Sequence, residues 1–271
     1  MNRLALLPGR GVIEVTGEDR VAFLQGLVSN DVGLAGPGRS IWTALLTPQG
    51  KWLLDGFVRA DGDRLLFEVE REQAALAIRT LSRFRLRSRV AFVDLGDELS
   101  VYAAWGGLLA LPAEALCAPD PRLPAAGWRI LSTVPLPANS DVEAWQMHRL
   151  ALGLPEAADL EAEKTVLLEA GFDELGGISW NKGCFMGQEL TARTKYRGLV
   201  KRRLVPVGIV GALPAPGTSV LRAGVEVGSM RSGVPGLGLA QLRLEAISCG
   251  PLICGEAVLT PRPPAWMRLP L

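Results

Sequence analysis

Beyond Leu204 the chain is cut by recurring glycine and proline into short β-type runs at 205–210, 219–221, 225–231, 237–245 and 257–260. Runs of that length and spacing fit a small closed or nearly closed β-barrel, which makes 204–271 the C-terminal domain. With 271 residues, 48% of them hydrophobic and 21% charged, the chain can bury a sizeable core yet exceeds one typical domain, so further units are expected upstream.

Those units read as α+β. Residues 11–16 form a strand pattern. From Glu18 the apolar positions Val21, Leu24 and Val28, with Phe23 and Leu27, follow helical spacing. Strands at 41–47 and 51–59 flank the turn Thr47-Pro48-Gln49-Gly50, a third covers 64–70, a helix covers about 71–83, and a strand covers 84–92. This order predicts an antiparallel sheet with helices on one face. On the strand predicted over 84–92, Arg85, Arg87 and Arg89 share one face, which would either line an anion-binding cavity or be solvated. A second small α+β unit is expected over 96–141, with a strand near 127–133. A helix over 142–150 is ended by Gly153-Leu154-Pro155. The domain reading is therefore 1–95 with 142–203, then 96–141, then 204–271.

Composition narrows the chemistry. The 29 basic and 28 acidic residues leave a net charge of +1, which argues against a dedicated nucleic-acid binder. The single histidine, His148, excludes sites that need several and reads as an ordinary surface or packing residue. No apolar run approaches membrane-helix length, and the opening residues pass into a strand pattern rather than a cleavable signal. A cytoplasmic location is expected, in which Cys117, Cys184, Cys249 and Cys254 stay as thiols. Cys249 and Cys254, across Gly250-Pro251, are expected to be structural and to hold no metal.

The densest run of chemistry-bearing residues is 179–198. Gly183 and Gly187 bracket Cys184 and would leave its thiol accessible. Lys182 and a helix beginning near Gln188 would favour the thiolate, the form that ligates metal. On the residues alone, Cys184 could equally be a small packing residue.

The run Lys182-Gly183-Cys184-Phe185-x-Gly187-Gln188-Glu189, followed by Ala192-Arg193 and Arg197-Gly198, resembles the signature of the YgfZ family. Its continuation through Thr194 is especially similar to the mitochondrial iron-sulfur assembly factor branch. Other segments agree in order, including Gly17-x-Asp19-Arg20, Phe23-Leu24-Gln25-Gly26, Ser29-Asn30-Asp31-Val32 and Pro48-Gln49-Gly50-Lys51 ending at Asp55. Arg149 with Gly153-Leu154-Pro155, and Phe172-Asp173-Glu174-Leu175, continue the match.

The resemblance implies an aminomethyltransferase-like fold, in which two ferredoxin-like α+β units and a C-terminal β-barrel surround a central folate-binding channel. It also implies an accessory role in [4Fe-4S] cluster assembly and in maturation of iron-sulfur enzymes, tRNA-modifying ones among them. By the same resemblance Cys184 would be the functional thiol and cluster ligand, with Lys182 its electrostatic partner. Trp145, Asp55, Arg149, Gln188 and Glu189 would belong to a tetrahydrofolate site. One thiol cannot hold a cluster alone, so the implied cargo is a [2Fe-2S] cluster shared with a partner, an A-type iron-sulfur carrier protein.

Aminomethyltransferases carry an acidic pair after the hairpin turn, where this chain has Leu54 and Asp55. They also carry a pterin-gripping glutamate before the helix-ending turn, where this chain has Ala151. Both departures argue against aminomethyl transfer, so the chain leans away from being an enzyme. A tetrahydrofolate-dependent one-carbon transferase remains the alternative. A third reading, RNA binding through Arg193, Lys195, Arg197, Lys201, Arg202 and Arg203, is weakened by the scarcity of interleaved aromatics.

Overall fold

A computed structural model of the chain describes residues 1–107, 109–248 and 250–269. The chain enters through β1 (Arg3–Leu6) and β2 (Arg10–Thr16), turns through α1 (Arg20–Gln25), and lays down β3 (Ser40–Leu46), β4 (Trp52–Asp61) and β5 (Arg64–Glu70). Helix α2 (Ala74–Phe84) leads to β6 (Ala91–Asp94), β7 (Ser100–Trp105), β8 (Leu116–Pro119) and β9 (Trp128–Ser132). Helices α3 (Val142–Leu152) and α4 (Gln188–Tyr196) follow. The last quarter holds β10 (Arg202–Val210), β11 (Ser219–Arg222), β12 (Val225–Val234), β13 (Leu237–Arg243), the single-turn α5 (Leu244–Ile247), β14 (Leu252–Cys254) and β15 (Ala257–Pro261).

These strands make three antiparallel assemblies: a five-stranded sheet β3-β4-β5-β2-β6, a four-stranded sheet β1-β7-β9-β8, and a closed six-stranded barrel β10-β13-β12-β11-β14-β15. The α+β architecture with a terminal barrel is the one expected. In the first sheet β3 is buried along its whole length because both faces are covered. Ile41 and Leu45 pack under α1 and α2 with Phe23, Leu24 and Leu81. Trp42, Ala44 and Leu46 face the opposite core, where the Trp42 ring stacks on Phe172 at 3.8 Å. The alternating β3 side chains thus join two hydrophobic cores.

Helix α3 starts on an Asp141 carboxylate that accepts from the Ala144 N–H, and stops at Gly153, whose φ of +73° only glycine adopts freely. Its last turn docks on the barrel, with the Trp266 indole donating to the Leu152 carbonyl at 2.8 Å.

The structure corrects several expectations. The second sheet takes its first strand, β1, from the start of the chain, so the second unit is not confined to 96–141. The barrel has an additional strand, β14, and the run expected at 237–245 passes into α5. The strand expected over 84–92 is the end of α2, a turn, and β6. There the Asp19 carboxylate accepts from the Arg89 N–H at 2.7 Å, and Leu86 has φ +41°. Strand alternation cannot pass through such a turn, and Arg85, Arg87 and Arg89 are all exposed to solvent. Cys254 is buried in the barrel; Cys249, its expected companion, lies outside the described residues. Among the described residues no helix is long and apolar enough to cross a membrane.

Candidate functional site

The sequence-predicted residues fall into two places. Cys184, Lys182, Gln188 and Glu189 lie together on the 179–188 loop and the first turn of α4. Trp145 and Arg149 lie on α3, and Asp55 is a buried residue of β4, paired with Ala44 of β3.

The loop wraps one edge of the first domain and is pinned at several points. The Ser179 and Met186 N–H groups donate to the Ser29 and Gly26 carbonyls, both at 3.0 Å. The Lys182 ammonium donates to the carbonyls of Val28 at 2.6 Å and Asn30 at 2.7 Å. Burial pushes its pKa down to about 8, against the opposing pull of Asp31. Lys182 is therefore an anchor whose charge is committed to two backbone oxygens. At the other end Gly187, with φ +79°, starts α4 while its backbone touches the Thr47–Gly50 turn. The Gln188 side chain accepts from the Phe185 N–H at 3.2 Å and closes the loop on itself.

Held this way, the loop buries Phe185 and leaves Cys184 exposed. Beside it opens a cleft of about 690 Å³, lined by Trp180, Gly183, Phe185, Gln188, Glu189, Arg193, Tyr196 and Arg197. Lys195 and Trp180 both bond Asp173, with the Lys195 ammonium 4.1 Å from the Trp180 ring, which fixes one wall. The cleft offers aromatic faces, the guanidinium groups of Arg193 and Arg197, which have no ion-pair partner among the described residues, and the Glu189 carboxylate next to an accessible thiol. That combination suits a protein surface rather than a small polar metabolite.

The second place is a buried ionic lattice. Arg149 is 1% exposed and bonds Asp159 at 2.7 Å, Glu156 at 3.0 Å and the barrel residue Ser232 at 2.8 Å. The Trp145 indole donates to Glu156 at 3.0 Å, and Gln146 to the same carboxylate at 3.1 Å. Burial acts to raise the Glu156 pKa, but Arg149, Arg10, Arg122 and the indole bond together hold it near 2. Further in, Glu68 is clasped by Arg10 and Arg129, and Arg129, Arg122 and Arg10 surround the Phe57 ring at 4.4, 4.9 and 5.7 Å. Asp55 accepts from the Trp42 and Trp52 indoles at 2.8 and 3.0 Å. Its pKa is pushed up to about 6 by burial, which the two indole bonds and the charges of Arg10 and Arg122 partly offset.

These residues do not fit a tetrahydrofolate. The space beside Trp145 is about 60 Å³, room for a few waters, against the several hundred Å³ a ligand of that size needs. Trp145 and Arg149 already bond Glu156, and Arg10 is held by Glu68 and Glu70. The arginines expected on 84–92 are exposed and line none of this space. Trp145 instead packs against Trp105 and His148, and His148 is the packing residue expected.

Sequence reasoning did not single out Glu156, Glu68 or Arg10, and it noted Arg129 only as part of the resemblance, in Gly127-x-Arg129. Glu68 did carry a signal, since a carboxylate amid the otherwise apolar 65–69 run must meet a cation when the strand is buried. Trp180 and Tyr196, 6.1 Å apart, become one cleft wall only through the fold.

Comparison with known proteins agrees with this architecture. Residues 201–269 match the family model described as CAF17, C-terminal beta-barrel domain. Over its whole length the chain resembles the glycine cleavage system aminomethyltransferase T from Bartonella henselae, with a TM-score of 0.75 over 99% of this chain and 87% of that one. At 15% identity this shows the fold alone. The iron-sulfur cluster assembly factor IBA57, mitochondrial, of Mus musculus is 33% identical over 91% of this chain and 78% of its own length, and that of Homo sapiens gives the same values. The Mycosarcoma maydis homolog is 32% identical over 90% and 74%. These relatives are named mitochondrial, which overturns the expectation of a cytoplasmic protein. The matches run through both α+β units as well as the barrel, and the chain belongs to the IBA57 branch of the YgfZ/CAF17 family of iron-sulfur cluster assembly factors.

Proposed function

We propose that the chain supports assembly of [4Fe-4S] clusters by giving the Cys184 thiolate as one ligand to a [2Fe-2S] cluster shared with a partner protein. One observation carries this reading: Cys184 is exposed on a loop pinned by Lys182, Met186 and Gly187 beside a cleft of protein-binding character. Soft thiolate suits iron-sulfur iron, and the remaining ligands come from the partner, an A-type carrier, docked against Trp180, Tyr196 and Arg193. The cluster is cargo in this reading. The chain's own residues hold the thiol in place and recognise the partner, and the clients include tRNA-modifying iron-sulfur enzymes.

The test combines the chain with a [2Fe-2S]-loaded A-type carrier and follows the visible absorption of the complex. Cys184→Ser should still fold but lose the shared-cluster spectrum and fail to restore [4Fe-4S] enzyme activities in a knockout. Full rescue by that variant would sink the proposal. The one-carbon transferase alternative makes a separate demand. Calorimetric titration with tetrahydrofolate should give no binding heat, whereas affinity that disappears in Trp145→Ala would favour a folate site over the closed lattice.

A further inference from the structure

The turn between α2 and β6 presents an apolar tip set among arginines, away from the Cys184 cleft in function and in lining residues. Leu86 is 89% exposed, more than any other large hydrophobic side chain after Met1 among the described residues, and Phe84 at the end of α2 and Val21 on α1 are also exposed. A shallow groove of about 750 Å³ runs from Leu86 and Arg87 to Ala22 and Phe23. Leu86 also has φ +41°, a backbone region that suits glycine or asparagine and that leucine rarely adopts. Neither the turn nor the core calls for a leucine at this position.

The charge pattern is equally one-sided. Arg83, Arg85 and Arg87 alternate with Phe84 and Leu86, and all three are exposed without an ion-pair partner among the described residues. The two nearby carboxylates, Glu18 and Asp19, are instead engaged by Arg89. In a chain whose net charge is +1, this is a local concentration of free positive charge around a protruding apolar residue.

From this we infer that the 83–87 turn is a membrane-surface contact, in which Leu86 and Phe84 enter the interfacial region of an anionic bilayer while Arg83, Arg85 and Arg87 reach its headgroups. A leucine this exposed, at the edge of a shallow groove rather than in a closed pocket, suits a deformable lipid surface better than a preformed protein pocket. Arginine stems flanking it can lie along the apolar boundary with their charges at headgroup level. The three charges supply the long-range attraction and the two apolar side chains supply the insertion, a pairing that gives reversible binding rather than permanent anchoring.

The experiment sediments the full chain with extruded vesicles of phosphatidylcholine alone and with vesicles of which about one-third is phosphatidylglycerol. The chain should pellet with the anionic vesicles and stay in solution with the neutral ones, and salt of about 0.5 M should release it. Leu86→Gly, which relieves the backbone rather than straining it, should lower the partition coefficient about tenfold while keeping the native circular dichroism. Reversing Arg83, Arg85 and Arg87 to glutamate should lower it about a hundredfold or more. Failure of the wild type to pellet with anionic vesicles, or equal pelleting of wild type and Leu86→Gly, would overturn the inference. Retention on a poly-glutamate matrix without vesicle binding would overturn it too, and would assign the turn to an acidic protein instead.

Discussion

Gly50, in the β3–β4 turn, and Gly187, at the start of α4, meet backbone to backbone. A β-carbon on Gly187 would lie 2.9 Å from the Gly50 Cα and 2.6 Å from the Thr47 oxygen, and one on Gly50 would lie 2.5 Å from the Gly187 oxygen. Both have φ near +80°. Two motifs well separated in sequence therefore share one contact, and the Cys184 loop takes its position from the hairpin. Gly187→Ala should cost about 2–4 kcal/mol, combining strain and overlap. Gly183→Ala meets nothing within 4 Å and should cost about 1 kcal/mol from its φ of +89° alone. Equilibrium urea unfolding measures both, and equal losses would mean the close approach does not matter.

Arg149 joins three parts of the chain by bonding Asp159, Glu156 and Ser232 from one buried guanidinium. Arg149→Ala leaves two carboxylates without their main cation and should cost about 3–5 kcal/mol. Because Ser232 lies on β12, the loss should appear first as separation of α3 from the barrel. Hydrogen exchange should therefore speed up in α3 and β12 before the rest of the chain. Uniform acceleration throughout would place Arg149 in a single cooperative unit instead.

Much of this architecture is legible in the residues, and the exceptions have physical causes. The closed barrel follows from the punctuated runs after Leu204, and the end of α3 from Gly153-Leu154-Pro155. Strand β14 escapes because three residues carry no periodicity; only pairing with β11 and β15 defines it. The 84–92 segment misleads because its alternation of arginine with apolar residues mimics a strand, while Asp19 and the left-handed Leu86 impose a turn. The 179–188 loop is legible as chemistry but not as geometry. Nothing local indicates that Lys182 reaches back to Val28 and Asn30 rather than toward the thiol.

Two buried carboxylates should give the acid limb of the stability curve opposite slopes. Burial acts to raise the Glu156 pKa, but its cations hold it near 2, below the usual carboxylate range. Its contribution is therefore full above the unfolded value and lost as pH falls toward 2. Asp55, pushed up to about 6 by burial, binds its proton more readily in the folded state. It therefore favours folding below the usual aspartate value, an advantage that disappears as pH rises toward 6. Urea unfolding across this range should show Glu156→Gln flattening the loss at the lowest pH, and Asp55→Asn flattening the decline on approach to pH 6. The asparagine should also lower stability at every pH by about 1–3 kcal/mol, because its amide faces one of the two tryptophan indoles donor to donor. Identical slopes in wild type and both variants would show that neither carboxylate titrates differently on folding.

Lys182 governs the alkaline limb. Its pKa, lowered to about 8 by burial, lies below the value it regains on unfolding, so between those two values the unfolded chain binds more protons and stability rises with pH. The cause is relief of a desolvated charge, and the neutral amine still carries two hydrogens for the Val28 and Asn30 oxygens. Lys182→Met removes both the titration and the two bonds. It should be less stable than the wild type at neutral pH, with faster amide exchange at Phe185 and Met186, and the gap should widen from about pH 8 to about pH 10. Lys182→Arg keeps a charge that does not titrate and should hold the loop without the rise. A gap that narrows with pH would mean that the buried ammonium, rather than the neutral amine, is the form the loop requires.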